Sequence, residues 1–286
     1  FLSKNSHGEV LKTIDSEKER YGKIEPQNKR VLIEYVSSNP TGPLHVGHGR
    51  GAVFGSVLSS LLKEAGFEVD EEYYINDFGR QMNILSVSLW IRYAQLFGSQ
   101  VQMIKNGYQG GYMRVIAENL KAIKKGEFVI DSETISSIFA FDNEDDELLT
   151  DHIIDGLKTE LGNKFFFLRD FALKEIISQI KEDLSDFGVN HNKWFSESSL
   201  YQNDNETQSK VEETIKNLHS NSFVYEKDDA VWFKSSDFGD DKDRVLKRGN
   251  GEYTYFASDV AYHLDKYERG YDRIINIWGS DHHGYI

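Results

Sequence analysis

Two histidines stand three apart in the run His45-Val46-Gly47-His48. At that spacing both can share one face of a turn and donate hydrogen bonds to one phosphate. When a carboxylate attacks that phosphorus, negative charge grows on the phosphate oxygens, and donors already in place stabilise it. Gly47 and Gly49 carry no side chain, so a flat base or a phosphate can approach the backbone. The same four residues also suit two satisfied surface histidines in a turn, or part of a metal site. The metal reading lacks an obvious third ligand nearby, and the chain has no Cys. A second histidine pair lies in Gly279-Ser280-Asp281-His282-His283-Gly284, where exposed loop histidines are an equal reading. Asp240, Asp241 and Asp243 suggest a cation site less than a solvated hairpin turn. Tyr108-Gln109-Gly110-Gly111-Tyr112 is Gly-rich, but its spacing is not that of a phosphate loop, so a turn is expected.

These residues need elements to hold them. Val31 to Val36 is a β-branched run that reads as a buried strand. Asn39, Pro40, Gly42 and Pro43 break it. Val53, Phe54, Val57, Leu58, Leu61, Leu62 and Ala65 then form one wide apolar stripe of a helix, with Gly66 placed as its cap. Val69 to Ile75 reads as a second strand. Strand, loop, helix and strand make a βαβ unit with parallel pairing, and His45 to His48 fall at the helix N-terminus. There, free N–H groups and the positive dipole end suit phosphate. The stretch from about Asn83 to Gly188 reads as mostly helical, opened by Leu85, Leu89 and Trp90. It closes on Ile176, Ile177, Ile180, Leu184 and Phe187. Asp142 to Asp155 within it is expected to be a solvated face or loop. Phe223 to Leu246 alternates aromatic and charged residues like short antiparallel strands, which Tyr253 to Phe256 extends. A helix over 257–269 with Gly270 as its cap follows, and then a buried strand, Ile274 to Trp278. Its C-terminal end, where open α/β sheets bind ligands, carries the second histidine pair.

Composition bounds the function. The chain has 286 residues, with 39% hydrophobic and 13% aromatic, enough for a real core in one large domain or two smaller ones. Lys plus Arg number 33 against 47 Asp plus Glu, a net charge of −14, which argues against a general nucleic-acid binder. Any RNA-contacting surface must therefore be local or lie elsewhere in a longer parent chain. Without Cys there are no disulfides, cysteine nucleophiles or thiolate zinc sites, which suits a reducing compartment. No apolar run approaches the roughly 20 residues that span a bilayer. A soluble, cytoplasmic protein without a membrane partner is expected. The first residue is Phe1 rather than Met, so a missing N-terminus is expected too.

The run Ile33-Glu34-Tyr35-Val36-Ser37-Ser38-Asn39-Pro40-Thr41-Gly42-Pro43-Leu44-His45-Val46-Gly47-His48 resembles the HIGH signature of class I aminoacyl-tRNA synthetases. Its Glu-x-x-x-x-Asn-Pro approach is similar to the arginyl members. Tyr74 to Gln81, Tyr108 to Tyr112 and Tyr253 to Ile286 resemble further blocks of that family, and the similarity runs from about Lys29 to Ile286. The resemblance implies an α/β, Rossmann-like parallel sheet with a mostly helical insertion, a small antiparallel β region and an incomplete second half. It implies residues 1–28 as a linker or the end of an N-terminal additional domain, 29–82 as the first half of the catalytic domain, 83–222 as the insertion, and 223–286 as the β region and start of the second half. The implied activity is arginine–tRNA ligation: arginine and ATP give arginyl-adenylate, and the arginyl group passes to tRNA(Arg), with Mg²⁺ on the phosphates.

In that family His45 and His48 would be catalytic. ATP would meet His45, Gly47, His48, Gly279, Asp281 and His283. Arginine would meet Glu34, Asn39, Tyr255, Asp259 and His282. Tyr255 and Asp259 are four apart and share a helix face, and a carboxylate suits the planar, permanently charged guanidinium. No residue is expected to hold a metal, and a monomer is expected. Arginyl enzymes usually need tRNA present for the activation step, which the resemblance extends to this chain. The family's KMSKS-type Lys loop has no counterpart in the sequence, since Lys124-Lys125 and Lys247-Arg248 lie in other contexts. Two other readings therefore stay open: a non-catalytic binding or assembly module that kept the fold, and another HxGH synthetase or nucleotidyltransferase.

Overall fold

The computed structural model of the chain describes residues 4–141, 145–202 and 208–279. The stretch expected to be a tail holds a helix, α1 (Lys4–Glu17), and a short 3-10 turn, Lys18–Arg20. Its Val10, Leu11 and Ile14 remain exposed. The polar composition that suggested a linker is compatible with a helix because Lys, Glu and Leu are intrinsically good helix formers.

The expected βαβ unit follows. β1 (Arg30–Glu34) is buried from Val31 to Glu34, as a strand covered on both faces must be. α2 (Val46–Glu64) crosses to β2 (Glu68–Ile75), which pairs parallel to β1 with Arg30 opposite Glu68. Gly66, at φ 83°, ends α2: its N–H reaches the Lys63 carbonyl and the Phe67 N–H reaches that of Leu62. The packed face of α2 takes up only part of the apolar stripe expected, with Leu58 and Leu62 against the core. Ala52, Gly55 and Ser59 are buried, whereas Val53, Phe54, Val57 and Leu61 are each about half exposed or more. The helix lies so close to β1 that a Cβ on Gly55 would sit 2.2 Å from the Tyr35 ring. Close approach selects small residues at that contact, and Val53, Phe54, Val57 and Leu61 are turned outward.

Helices α3 (Arg80–Gln95), α4 (Gly111–Lys124), α5 (Ser132–Phe139), α6 (Asp146–Leu161) and α7 (Asn163–Asp186) form the insertion around Leu85, Leu89, Trp90, Ile176, Ile180 and Leu184, all buried. Phe187, expected in that row, is exposed, because it stands at the C-cap of α7. Within the acidic stretch, Asp145 caps α6 by accepting the Glu147 N–H, and Ile153 and Ile154 face inward. Asp142 to Glu144 lie outside the described residues.

The chain then returns to the sheet earlier than the sequence suggests. β3 (Lys193–Ser196), inside the stretch read as insertion, pairs parallel to β2. Its aromatic residues carry no helical period, but four residues are too few to signal a strand against a helical background. A 3-10 turn, Glu197–Tyr201, and α8 (Lys210–Ser220) lead to the antiparallel strands β4 (Val224–Lys227), β5 (Ala230–Phe233) and β6 (Arg244–Lys247). Tyr253 bridges to Lys247 as expected, while Tyr255 and Phe256 already belong to α9 (Tyr255–Glu268). Gly270 follows that helix at φ 73°, and β7 (Arg273–Asn276) pairs parallel to β1.

The main sheet is therefore four parallel strands in the order β3-β2-β1-β7. Chain direction across the sheet reverses between β1 and β7, which opens a crevice at their C-terminal ends. Two ion pairs, one fully buried and one partly so, pin α9 and its C-cap to this sheet. Arg269 holds Glu72 of β2 through two bonds of 2.5 and 2.9 Å, and Tyr262 donates to the same carboxylate at 2.7 Å. Lys266, fully buried, pairs with Glu34 of β1 and donates to Asn276 of β7 at 2.7 Å. Among the described residues no helix is long and apolar enough to cross a membrane.

Candidate active site

The C-terminal ends of β1, β2, β3 and β7 release the chain into the segments that carry the candidate residues. After β1 the backbone bends through Val36 and Ser37 at φ 69° and 43°, a conformation that a β-branched valine rarely adopts. This bend lets the Ser37 hydroxyl donate to Glu34 at 3.0 Å and accept the Tyr74 N–H at 3.1 Å. Asn39 stands exposed beyond it, accepting from Asn76 at 3.2 Å. The Tyr112 hydroxyl donates to the Thr41 carbonyl at 2.5 Å, and Gly42 leaves room for that ring. Tyr108 to Tyr112 thus turns the chain into α4, as expected, and also braces the histidine loop from the insertion.

His45 is the N-cap of α2. Its Nδ1 accepts the Gly47 N–H at 3.1 Å, and His48 Nδ1 accepts the His45 N–H at 3.2 Å, with ring centroids 3.9 Å apart. A neutral imidazole that accepts at Nδ1 carries its proton on Nε2. Both rings therefore keep an Nε2–H to donate in front of a helix N-terminus. Burial first, and the neighbouring His45 second, hold His48 below the usual histidine range, so it is neutral near pH 7. A Cβ on Gly47 would meet the His45 ring at 2.8 Å, so this glycine makes room for the folded-back cap as well as for a ligand.

Across the crevice the first turns of α9 present Tyr255, exposed, and Asp259, half-buried. Beside them lies a carboxylate that the sequence reading did not single out. Glu197, directly after β3, is 2% exposed, and its Oε2 has no hydrogen-bond partner among the described residues. Burial, opposed by the Ser258 and Tyr74 hydroxyls and reinforced by the charges of Asp259 and Asp77, pushes its pKa up to about 7. Asp77 fixes this corner by accepting the Ser198 N–H at 2.8 Å and the Ser196 hydroxyl at 2.5 Å. Tyr74 and Tyr201 also feel Glu197 and Asp259: burial and these charges raise Tyr74 far above the usual phenol range and push Tyr201 to about 12. Phe78 stacks on Tyr201 at 3.8 Å, and Gly79 passes the Tyr255 hydroxyl. Carboxylates crowded in a buried corner with phenols for walls favour a cation, and a perturbed acid in a cleft marks a candidate site. An acid at the C-terminal end of a strand was the available signal, and it was hidden because β3 was not recognised.

The other expected residues divide. Glu34, expected to meet a ligand by charge, stands in the floor of the crevice with Oε2 on Lys266 and Oε1 on Ser37. Gly279 is exposed at the end of β7. Asp281, His282 and His283 lie outside the described residues. Asp240 pairs with Arg244 at 2.7 and 2.8 Å, and Asp243 accepts from Ser236 and Tyr225, so these acids tie down the turn before β6. Among the described residues no group of three His, Asp or Glu is arranged to hold a metal ion.

Comparison with known proteins gives one consistent picture. Residues 10–286 match the family model described as tRNA synthetases class I (R), catalytic domain. An arginine–tRNA ligase of Vesicomyosocius okutanii is 46% identical over 289 residues, covering all of this chain and 49% of the relative. One from Legionella pneumophila strain Corby is 48% identical over 264 residues, covering 91% of this chain and 44% of the relative. A Campylobacter jejuni crystal structure described as an arginyl-tRNA synthetase superposes with a TM-score of 0.80 at 33% identity, over 99% of this chain and 55% of that one. The Thermus thermophilus arginyl-tRNA synthetase, at 19% identity and a TM-score of 0.54, shares the fold. The chain spans about half the length of the curated relatives it matches.

Proposed function

Because this chain belongs to the class I tRNA synthetase (R) catalytic-domain family, we propose that it carries the ATP and arginine half-sites of an arginine–tRNA ligase. The observation that carries the reading is the pairing of two features across one crevice. On one side an acidic corner of buried Glu197 and half-buried Asp259, walled by Tyr74 and Tyr201, suits a guanidinium group. On the other, His45 and His48 aim Nε2–H donors from a helix N-terminus that suits phosphate.

The chemistry asked of these residues is positioning and charge stabilisation. The arginine carboxylate attacks the α-phosphorus of ATP, diphosphate leaves, and arginyl-adenylate forms. The terminal ribose hydroxyl of tRNA(Arg) then attacks the arginyl carbonyl and releases AMP. The guanidinium end is held by charge and by its five fixed donors. Asn39, exposed beyond β1, would hydrogen-bond the polar end of the amino acid. Glu34 acts from beneath, its charge held in place by Lys266. As charge builds on the α-phosphate, His45 and His48 donate to its oxygens, and the dipole of α2 adds to their effect. None of these steps needs a covalent nucleophile or a general base from this chain. Mg²⁺ would enter on the phosphates and supply charge neutralisation there. On the same reading the protein acts in the cytoplasm as a monomer.

Calorimetric titration with a non-hydrolysable arginyl-adenylate analogue tests the reading, with lysyl and glutamyl analogues as controls and circular dichroism to verify folding. Selective binding of the arginyl form, lost in Asp259→Ala, is expected. Equal binding of the three by a folded sample would remove the basis of the arginine assignment.

A further inference from the structure

The far end of the insertion carries a surface that none of this chemistry uses. In a chain of net charge −14 it is locally basic. Lys121, Lys125 and Lys164 converge there from the end of α4, the loop after it and the start of α7, and among the described residues none has a carboxylate partner. The acids Glu127 and Asp170 are each spent on a base of the same patch, Lys124 and Arg169.

Aromatic rings are interleaved with these cations. Lys121 sits 4.5 Å over Phe97, Lys124 4.6 Å over Phe167, and Arg169 5.4 Å from Phe166. These three phenylalanines are 38–43% exposed, although buried Tyr93 and Phe128 lie directly behind Phe97 and Phe167. Lys121 and Lys164 donate only to the carbonyls of Leu96 and Glu127, so their charges meet no carboxylate, and burial of the rings would be favourable; exposed rings among such cations point to a ligand with both charge and flat faces. A protein partner of ordinary composition matches the rings alone. A nucleic-acid strand matches both, because phosphates take the lysines and unpaired bases stack on the rings.

Position supports this. α3 begins at Arg80, next to the Gly79 and Tyr255 corner of the site, and ends one residue before the Leu96-Phe97 corner. Its 16 residues span about 24 Å, so one rigid helix links the crevice to the patch. We propose that this patch is a second contact surface for the RNA substrate, reading backbone charge through Lys121, Lys125 and Lys164 and stacking an unpaired base on Phe166 or Phe167. The proposal rests on the tRNA-ligase reading for the identity of the RNA.

The test is binding of a tRNA(Arg) transcript to the whole chain over a range of salt, with the arginyl-adenylate analogue titrated in parallel. Lys125→Gln with Lys164→Gln should weaken tRNA binding about tenfold and lower the slope of log affinity against log salt by about two. Phe166→Ala should weaken it about fivefold or more with the slope unchanged, and Phe166→Trp should restore it. Analogue binding should be unchanged in all variants. Unchanged tRNA affinity and slope in the lysine and alanine variants, or no tRNA binding by the parent chain, would overturn the proposal. Loss of tRNA binding on these substitutions in a chain that shows no preference for the arginyl analogue would uphold the RNA surface and overturn the arginine reading instead.

Discussion

Glu197 decides how the acidic corner responds to pH. Its folded-state pKa near 7 lies above that of an exposed glutamate. Between the unfolded and folded values the folded protein binds more protons, so this group subtracts stability as pH rises from about 4.5 towards 7. A guanidinium ligand favours the ionised form, so binding should release a proton near pH 6.5 and strengthen towards pH 8. Calorimetry in two buffers of different ionisation enthalpy measures that release, and Glu197→Gln should abolish it. At this scale the sequence was legible where spacing carried chemistry. His45 and His48 stand at the N-terminus of α2, and Tyr255 and Asp259 share the first turns of α9, as their spacing suggests. Glu197 was illegible because its meaning comes from burial beside Asp259, 62 positions away in the chain.

The helix α2 shows why apolar character and burial differ. Its wide stripe predicted the element, its limits and, at Leu58 and Leu62, part of the packed face, but its fully buried residues are the small Ala52, Gly55 and Ser59. Gly55→Ala should therefore destabilise the fold by about 1–3 kcal/mol, since its Cβ collides with the fixed base of the Tyr35 ring rather than with a flexible tip. An exposed change such as Val57→Ala should cost far less, and urea unfolding of the two separates the cases. α9 is held differently, by the buried Lys266–Glu34 pair and the partly buried Arg269–Glu72 pair at its C-cap. Lys266→Ala strands the Glu34 charge and should cost about 3–5 kcal/mol, whereas Lys266→Met with Glu34→Gln should cost markedly less, because the pair is removed together. Neither pair was visible in the sequence: Glu34 and Lys266 are 232 positions apart and meet only once β7 completes the sheet.

For the whole molecule, the strand-helix-strand pattern near the start and the strand near the end specified a parallel nucleotide-binding sheet with a helical insertion. The order β3-β2-β1-β7 could not follow from that pattern while β3 was hidden in the insertion. Once that order is known, the loops after β1, β2, β3 and β7 all leave the sheet at the same edge, with the topological switch between β1 and β7. The overall charge of −14 fits this arrangement if RNA is met by a local basic surface and arginine by a local acidic one. The central claim is that the acidic corner recognises positive charge and not merely the shape of an arginine side chain. The measurement that tests it most directly compares binding of the arginyl-adenylate analogue with its citrullyl counterpart, which has nearly the same shape and no charge. A preference for the arginyl form of about a hundredfold or more, collapsing in Asp259→Asn, is the expected result, since a buried carboxylate left without its charged partner typically costs several kcal/mol. Equal affinity for the two analogues would contradict it.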